Sequence, residues 1–221
     1  MFALKKSVLG RTFQSAETTG AYNSAATAGI ATGLVSGTRI ATNLGWRMVE
    51  SIAPGDTALT FDGGMQVVRR ISRNILWSSS KNCPEHLWPL VVPAGALGNK
   101  DEMMMLPEQV VMIEADAAEE LFNDPFALVH AADLKGFNGI DRIKPQAEIV
   151  VYTLHFDEEQ VVFACSGALF HCPANDQLCL LEINHSEAAY EALPASDAQL
   201  LVDFMAQALE TPVNIEFSTA A

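Results

Sequence analysis

The sequence has few cysteines and few basic residues, and it has no long hydrophobic run. Four cysteines in 221 residues are too few for a disulfide framework, so a hydrophobic core must hold the fold together. Thirteen lysines and arginines stand against 27 aspartates and glutamates, and the net charge of −14 repels nucleic acid and anionic lipid. No segment reaches the roughly 20 apolar residues that a membrane span needs. These features argue against nucleic-acid or membrane partners.

The first 32 residues differ in character from the rest. They carry two early lysines but no apolar stretch long enough for a cleaved signal peptide, so a cytoplasmic location is predicted, and export by an uncleaved C-terminal signal stays open. Residues 15–33 are almost entirely alanine, threonine, glycine and serine, which lack the bulk to pack. We therefore predict a flexible leader over 1–32, a folded domain over 33–170 and a C-terminal extension over 171–221.

The central domain shows short apolar runs, rich in β-branched residues and separated by turn motifs such as Ala53-Pro54-Gly55-Asp56. The predicted strands are 38–42, 47–52, 57–61, 65–77, 87–92, 103–106, 110–114, 126–130, 149–156 and 160–164. We expect 65–77 to be one long bent strand, and Asp157-Glu158-Glu159 to be the hairpin turn between the last two strands. On such a turn the glutamates would be solvated, and as neighbours they would not share a site.

Two helices are predicted. A short one covers 115–122, and a longer one covers 196–209, where apolar residues recur at helical spacing and Ser196 is in place to act as N-cap. The apolar residues of the longer helix are Leu200, Leu201, Phe204, Met205 and Ala208. The predicted fold class is mostly β, with a C-terminal helix docked on the β-domain.

Four segments near the start of the domain occur in a distinctive order and spacing. They are Gly37-Thr38-Arg39-Ile40-Ala41-Thr42, Trp46-Arg47-Met48-Val49-Glu50, Pro54-Gly55-Asp56 and Leu59-Thr60-Phe61-Asp62-Gly63-Gly64. This series resembles the opening of a bacterial Hint domain, the all-β horseshoe of inteins and Hedgehog autoprocessing domains. Further similarity at 106–111, 126–134 and 151–164 extends the resemblance over roughly residues 33–167.

The resemblance implies a chemistry whose key side chains this sequence lacks. In the family, a cysteine or serine attacks the preceding carbonyl in an N-to-S or N-to-O acyl shift, and a second-block histidine protonates the departing nitrogen. Counting back from Gly37-Thr38 puts the nucleophile position at Gly33, and the histidine position falls at Gln109, which cannot act as an acid. Glu159-Gln160 stands where relatives often carry a histidine, and Asn184-His185-Ser186 has the terminal His-Asn pair in the wrong order.

Two functional hypotheses follow from these positions. In the first, the chain is a catalytically degenerate Hint module, a binding or structural domain whose partner is another protein or its own N-terminal segment, with no cofactor. In the second, the domain still cleaves itself and the nucleophile has moved to Ser36, Thr38 or Cys165. Cys165 is the favoured thiol because it follows the last predicted strand, but a thiolate needs a positive neighbour that the local sequence does not supply.

A third hypothesis is a metal-binding protein. His171, Cys172 and Cys179 lie close together in the sequence and are residue types that bind zinc or iron. They lack the tight Cys-x-x-Cys pair of structural zinc sites, which favours reduced, partly buried thiols instead. Oligomeric state is left open by the sequence.

Overall fold

The computed structural model describes residues 32–77, 83–174 and 190–210. All of the predicted leader except residue 32 therefore lies outside the described residues. No helix within the described ranges is long and apolar enough to cross a membrane. The strands are β1 Leu34–Val35, β2 Arg39–Thr42, β3 Gly45–Met48, β4 Thr57–Thr60, β5 Gly64–Val67, β6 Arg70–Ile75, β7 Leu90–Val92, β8 Met103–Met105, β9 Val110–Glu114, β10 Phe126–His130, β11 Asp141–Arg142, β12 Val150–His155, β13 Gln160–Ala164 and β14 Ala168–Cys172.

Within the described residues these strands form two sheets, so the prediction of a mostly β fold is confirmed. The six-stranded sheet has the order β11-β7-β8-β1-β12-β6, and the eight-stranded sheet has the order β10-β9-β14-β13-β2-β4-β5, with β3 paired to β2. One apolar cluster joins the two sheets: Leu154 comes from the first, and Ile40 and Phe170 come from the second. All three side chains are almost fully buried, so they hold the sheets against each other.

The opening motifs are built around specific turn contacts. Glu50 Oε2 accepts a hydrogen bond of 3.0 Å from the backbone N–H of Gly37, which ties the turn before β2 to the 3-10 helix that follows β3. Asp56 Oδ2 accepts one hydrogen bond from the Ala53 N–H and another from the Arg47 guanidinium, each at 2.9 Å. Several residues of the opening motifs therefore position the first hairpins.

The predicted long strand over 65–77 is wrong, because the chain changes sheets in the middle of it. β5 is an edge strand of the eight-stranded sheet, and β6 is an edge strand of the six-stranded sheet. Between them, the Val68 N–H donates to the Asp56 carbonyl and the Arg69 N–H donates to the His155 carbonyl. Val68 is fully buried, so the bend is anchored by core packing as well as by the two sheets.

The predicted hairpin between 149–156 and 160–164 is also wrong. β12 pairs with β1 and β6, whereas β13 pairs with β14, β2 and β4, so residues 157–159 connect two sheets. The hairpin that closes the domain is β13–β14, and its second strand was not predicted. The predicted strand over 47–52 is shorter than expected as well, because the segment Val49–Ser51 forms a 3-10 helix.

Both predicted helices are present, as α1 (Asp116–Phe122) and α2 (Ala195–Glu210). Ser196 is not the N-cap: it lies in the first turn of α2, and the Pro194 carbonyl accepts the Asp197 and Ala198 N–H groups. The docked face also differs from the prediction. Among the described side chains of α2, Ala198, Leu201 and Val202 are buried, so Leu201 faces the core as predicted, whereas Leu200 and Phe204 are 50% and 39% exposed.

Candidate functional site

Gly33 lies immediately before β1, buried against β12. Its φ of +120° is a conformation that side-chain-bearing residues rarely adopt. A Cβ at this position would lie 2.7 Å from Val151 Cγ1, 3.1 Å from the Tyr152 carbonyl oxygen and 3.3 Å from Thr153 Oγ1. Both the backbone and its surroundings therefore fit glycine and no larger residue.

The structure brings Gln109 into contact with Gly33, 76 positions away in sequence. Gln109 Oε1 accepts a 3.0 Å hydrogen bond from the Gly33 N–H. Gln109 Nε2 donates to the carbonyls of Val110 and His171 at 2.8 and 2.9 Å. The side chain is only 2% exposed, so these contacts fix which end of the amide faces Gly33.

This arrangement is the reverse of what acyl transfer requires at the same bond. Breaking the peptide bond before Gly33 would need a proton delivered to the Gly33 nitrogen. Gln109 instead presents a carbonyl oxygen there, and both of its N–H groups are engaged elsewhere. The pair can hold β1 in place, but it supplies neither an attacking atom nor an acid.

Replacing Gln109 with leucine should destabilise the domain by about 2–3 kcal/mol, because the substitution leaves the buried Gly33 N–H and His171 carbonyl without partners. Urea denaturation followed by tryptophan fluorescence measures the change. The matched control is Gln199→Leu on α2, where the exposed side-chain amide donates a hydrogen bond to Asp203. That control should stay within about 0.5 kcal/mol of the unsubstituted chain. Equal losses in the two variants would contradict a structural role for the Gln109 network.

Ser36 and Thr38, the nearest hydroxyls in sequence, are held by backbone pairing. The Ser36 N–H donates to the Val150 carbonyl at 2.9 Å, and the Ser36 residue is exposed. Thr38 is 5% exposed, and its backbone N–H and carbonyl bond Val35 and Val49. Neither backbone is left free to move toward the bond before Gly33.

Cys165 sits at the turn between β13 and β14, whereas Gln109 contacts His171 near the opposite end of β14. Arg39 from β2 is a positive neighbour that was not apparent in the local sequence. Burial still dominates: it raises the pKa of the Cys165 thiol, against a smaller lowering effect from the Arg39 backbone and charge. The thiol is therefore mostly protonated near neutral pH.

His171 and Cys172 do not converge on a common ligand. As neighbours on β14 they point to opposite faces of the sheet. Burial raises the pKa of Cys172 to about 12. Burial also lowers the pKa of His171, and the nearby Glu159 carboxylate opposes that effect. Cys179 and the segment 184–186 lie outside the described residues; among the described ones, no group of three or more histidine, cysteine or acidic residues is placed to hold a metal.

A polar cavity of about 450 Å³ was not anticipated from the sequence. Its lining residues include Asp62, Asp157, Glu158, Glu159, Gln160 and Tyr190. Glu158 is exposed, as predicted, but the prediction that Glu158 and Glu159 would not share a site is wrong. Both line this cavity, because they belong to a connection between sheets where strand alternation does not apply. The Glu159 side chain is only 28% exposed and lies 3.8 Å from His171 Nε2.

The cavity wall is held by contacts between distant segments. Arg69 forms a two-pronged ion pair with Asp157, at 2.9 and 2.6 Å. Burial raises the pKa of Tyr190 above its usual range, with further contributions from its hydrogen bond to Asp62 and the Glu159 charge. Residues 62, 69, 157–160 and 190 were not linked by any local pattern.

A second buried polar group was also missed. His155 is 8% exposed, and its Nδ1 and Nε2 lie 3.2 Å from Arg70 Nη2 and 3.1 Å from Ser72 Oγ. All three residues are at the paired ends of β12 and β6. The alternation of β6 places Arg70 and Ser72 on one face, but the sequence did not show that β6 pairs with β12.

Among solved structures, similar folds are inteins and intein-like domains. A bacterial intein-like domain from Clostridium thermocellum is 16% identical, with a TM-score of 0.46, over 63% of this chain and 98% of that domain. The MchDnaB-1 intein is 13% identical, with a TM-score of 0.42, over 62% of this chain and 98% of the intein. No curated protein sequence gives a significant match.

The family assignment rests on the sequence of the whole β-domain. The family model of the Hint domain matches residues 32–170, well over half of the chain. This range begins just before Gly33 and ends within β14, so it takes in both sheets and the Gly33–Gln109 contact. The chain belongs to the Hint domain family.

Proposed function

We propose that this chain is a catalytically degenerate Hint module that acts as a binding or structural domain. One observation carries the proposal: the Gly33 N–H donates to Gln109 Oε1 at the bond where the family's chemistry begins. A glycine offers no nucleophile, and an amide oxygen offers no proton to the leaving nitrogen. The packing that would crowd any side chain at position 33 supports the same interpretation.

The test is an intact-mass time course on the full-length chain, with and without dithiothreitol or hydroxylamine. We expect one unchanged mass in every condition, since no thioester or ester forms for these nucleophiles to intercept. A second sample carries a passenger protein fused before residue 1. It should keep its full mass, whereas release at the Thr32–Gly33 bond would refute the proposal.

The competing hypothesis, a relocated nucleophile, gives a distinct outcome in the same experiment. Fragments that accumulate with time and are accelerated by thiol would indicate a surviving acyl shift. The variants Ser36→Ala, Thr38→Ala and Cys165→Ala would then identify the attacking atom, because only one of them should abolish the fragments. The buried, protonated thiol of Cys165 argues against this outcome.

A further inference from the structure

The polar cavity has an excess of negative charge. Four carboxylates line it, and its lining residues include no lysine or arginine. Arg69 neutralises Asp157 from the side, in an ion pair whose side chains are about half exposed. Among the described residues, neither Asp62 nor Glu159 has a lysine or arginine partner: Asp62 bonds the Tyr190 phenol, and Glu159 accepts a hydrogen bond from the Tyr190 N–H and lies 3.8 Å from His171 Nε2. The cavity therefore favours a positively charged occupant.

Gln160 adds a second, independent feature. It lines the cavity and is only 8% exposed, yet its Oε1 is buried without a hydrogen-bond donor from any described residue. Gly63, another lining residue, lies so close that a Cβ there would be 2.9 Å from this oxygen. An unpaired buried carbonyl carries a free-energy cost of about 1–3 kcal/mol. The terminal torsion of glutamine turns readily, so the oxygen can be presented to a donor in the cavity.

We propose that this cavity binds a cationic nitrogen group, an alkylammonium or a guanidinium, as found at the end of a lysine or arginine side chain. Asp62 and Glu159 provide the counter-charge, and Gln160 Oε1 accepts an N–H from the ligand. The ligand supplies the positive charge that the lining side chains lack and an N–H donor for the unpaired Gln160 oxygen. A volume of about 450 Å³ accommodates such a side chain.

A nitrogen cation fits the cavity better than a metal ion does. Metal ions need several oxygen ligands converging within about 2.6 Å. Among the described residues, the carboxylates are not grouped closely enough to share an ion. An ammonium or guanidinium has several N–H donors directed to different sides, so it can contact separated acceptors.

Isothermal titration of the full-length chain with capped lysine and capped arginine tests the proposal, and nuclear magnetic resonance locates the site. We expect saturable binding at a single site, with dissociation constants roughly in the millimolar range. Backbone shifts should concentrate at Asp62, Glu159 and Gln160. Capped norleucine and capped citrulline, which keep the shape without the charge, should not bind. Butylammonium distinguishes a free amine from a side chain of a polypeptide. If butylammonium binds, the charged head group is sufficient; if only the capped amino acids bind, the ligand is a polypeptide side chain.

Two variants address the role of each group. Glu159→Gln should weaken lysine binding about fivefold, while Glu120→Gln, which alters an exposed carboxylate on α1, should leave it unchanged. Gln160→Met should also weaken binding. It should at the same time raise the melting temperature of the free protein, because it removes an unpaired buried oxygen. A residue with a purely structural role would not separate binding from stability in this way.

Several results would overturn the inference. Absence of saturable binding would do so, and so would equal binding of the uncharged analogues. Equal weakening of lysine binding by Glu120→Gln would also overturn it, because that result would indicate a general effect of net charge. A calcium titration that saturates the same resonances more tightly than lysine would assign the cavity to metal ions. The result does not depend on whether the chain cleaves itself, so it can fail while the proposed loss of catalysis stands.

Discussion

Replacing Gly33 with cysteine should yield a destabilised protein that still does not cleave itself, although the substitution restores the family's nucleophile. The new Cβ would lie 2.7 Å from Val151 Cγ1 and 3.1 Å from the Tyr152 carbonyl oxygen, in a backbone with φ of +120°. Backbone strain and overpacking together should cost about 3 kcal/mol. Thermal unfolding should show a melting temperature lower by roughly 10 °C, and intact-mass spectra with added thiol should show no fragments.

The matched control is Gly37→Cys, four residues later. Gly37 also has a positive φ, +93°, but a Cβ there meets no atom within 4 Å. Its substitution should cost only the conformational strain, about 1 kcal/mol. Equal destabilisation of the two variants would show that packing against β12 does not matter, and self-cleavage by Gly33→Cys would show that the missing side chain alone had silenced the site.

The two positions at which the family's nucleophile and acid are expected, Gly33 and Gln109, belong to one local structure. Because Gly33 has its unusual φ, its N–H points at Gln109 Oε1; because Gln109 also bonds the carbonyls of Val110 and His171, its amide stays in that orientation. Restoring one catalytic residue leaves the other arrangement intact. On the proposed inactive site, self-cleavage at Gly33 would therefore require a backbone change around position 33 as well as two new side chains.

Local patterns predicted much of the fold. Short runs such as Val110–Glu114 and Phe126–His130 appear as strands with the predicted bounds, because a short apolar run bounded by turn residues is encoded by adjacent residues. Prediction failed where the chain passes between sheets, at Val68 and at residues 157–159. Nothing in the local sequence marks either point as a change of sheet, because the strands that pair on each side are distant in sequence.

Only one part of the candidate site, the Gly33–Gln109 pair, could be predicted from the sequence. Family spacing led to Gly33 and Gln109, and the structure places them in contact. The cavity had no comparable sequence pattern, since it joins Asp62 to Glu159 and Tyr190 through tertiary folding alone. The docked face of α2 was misassigned for a related reason: several helical faces were apolar, and only the position of the neighbouring elements decides which one is buried.

Gly167→Ala should be among the most destabilising single substitutions in the β-domain. An alanine Cβ would lie 2.7 Å from the Gly98 carbonyl carbon and closer still to its oxygen. The facing loop cannot easily retreat, because the 2%-exposed Asn99 donates to the carbonyls of Pro93 and Asp101 and accepts from the Leu97 N–H. Backbone–backbone overlap at this contact should cost about 3–4 kcal/mol, which a shift in the urea midpoint measures.

Gly98→Ala is the matched control on the other side of the same contact. Gly98 has φ of +74°, but a Cβ there finds its nearest atom, the Gly167 carbonyl oxygen, at 3.9 Å, an ordinary contact. This variant should lose only about 1 kcal/mol, from conformational strain. Gly167 is thus required for the space it leaves, and Gly98 for the conformation it adopts. A larger loss of stability in Gly98→Ala than in Gly167→Ala would contradict this assignment. It would show that the close approach of the loop to the β13–β14 turn is not what requires a glycine at position 167.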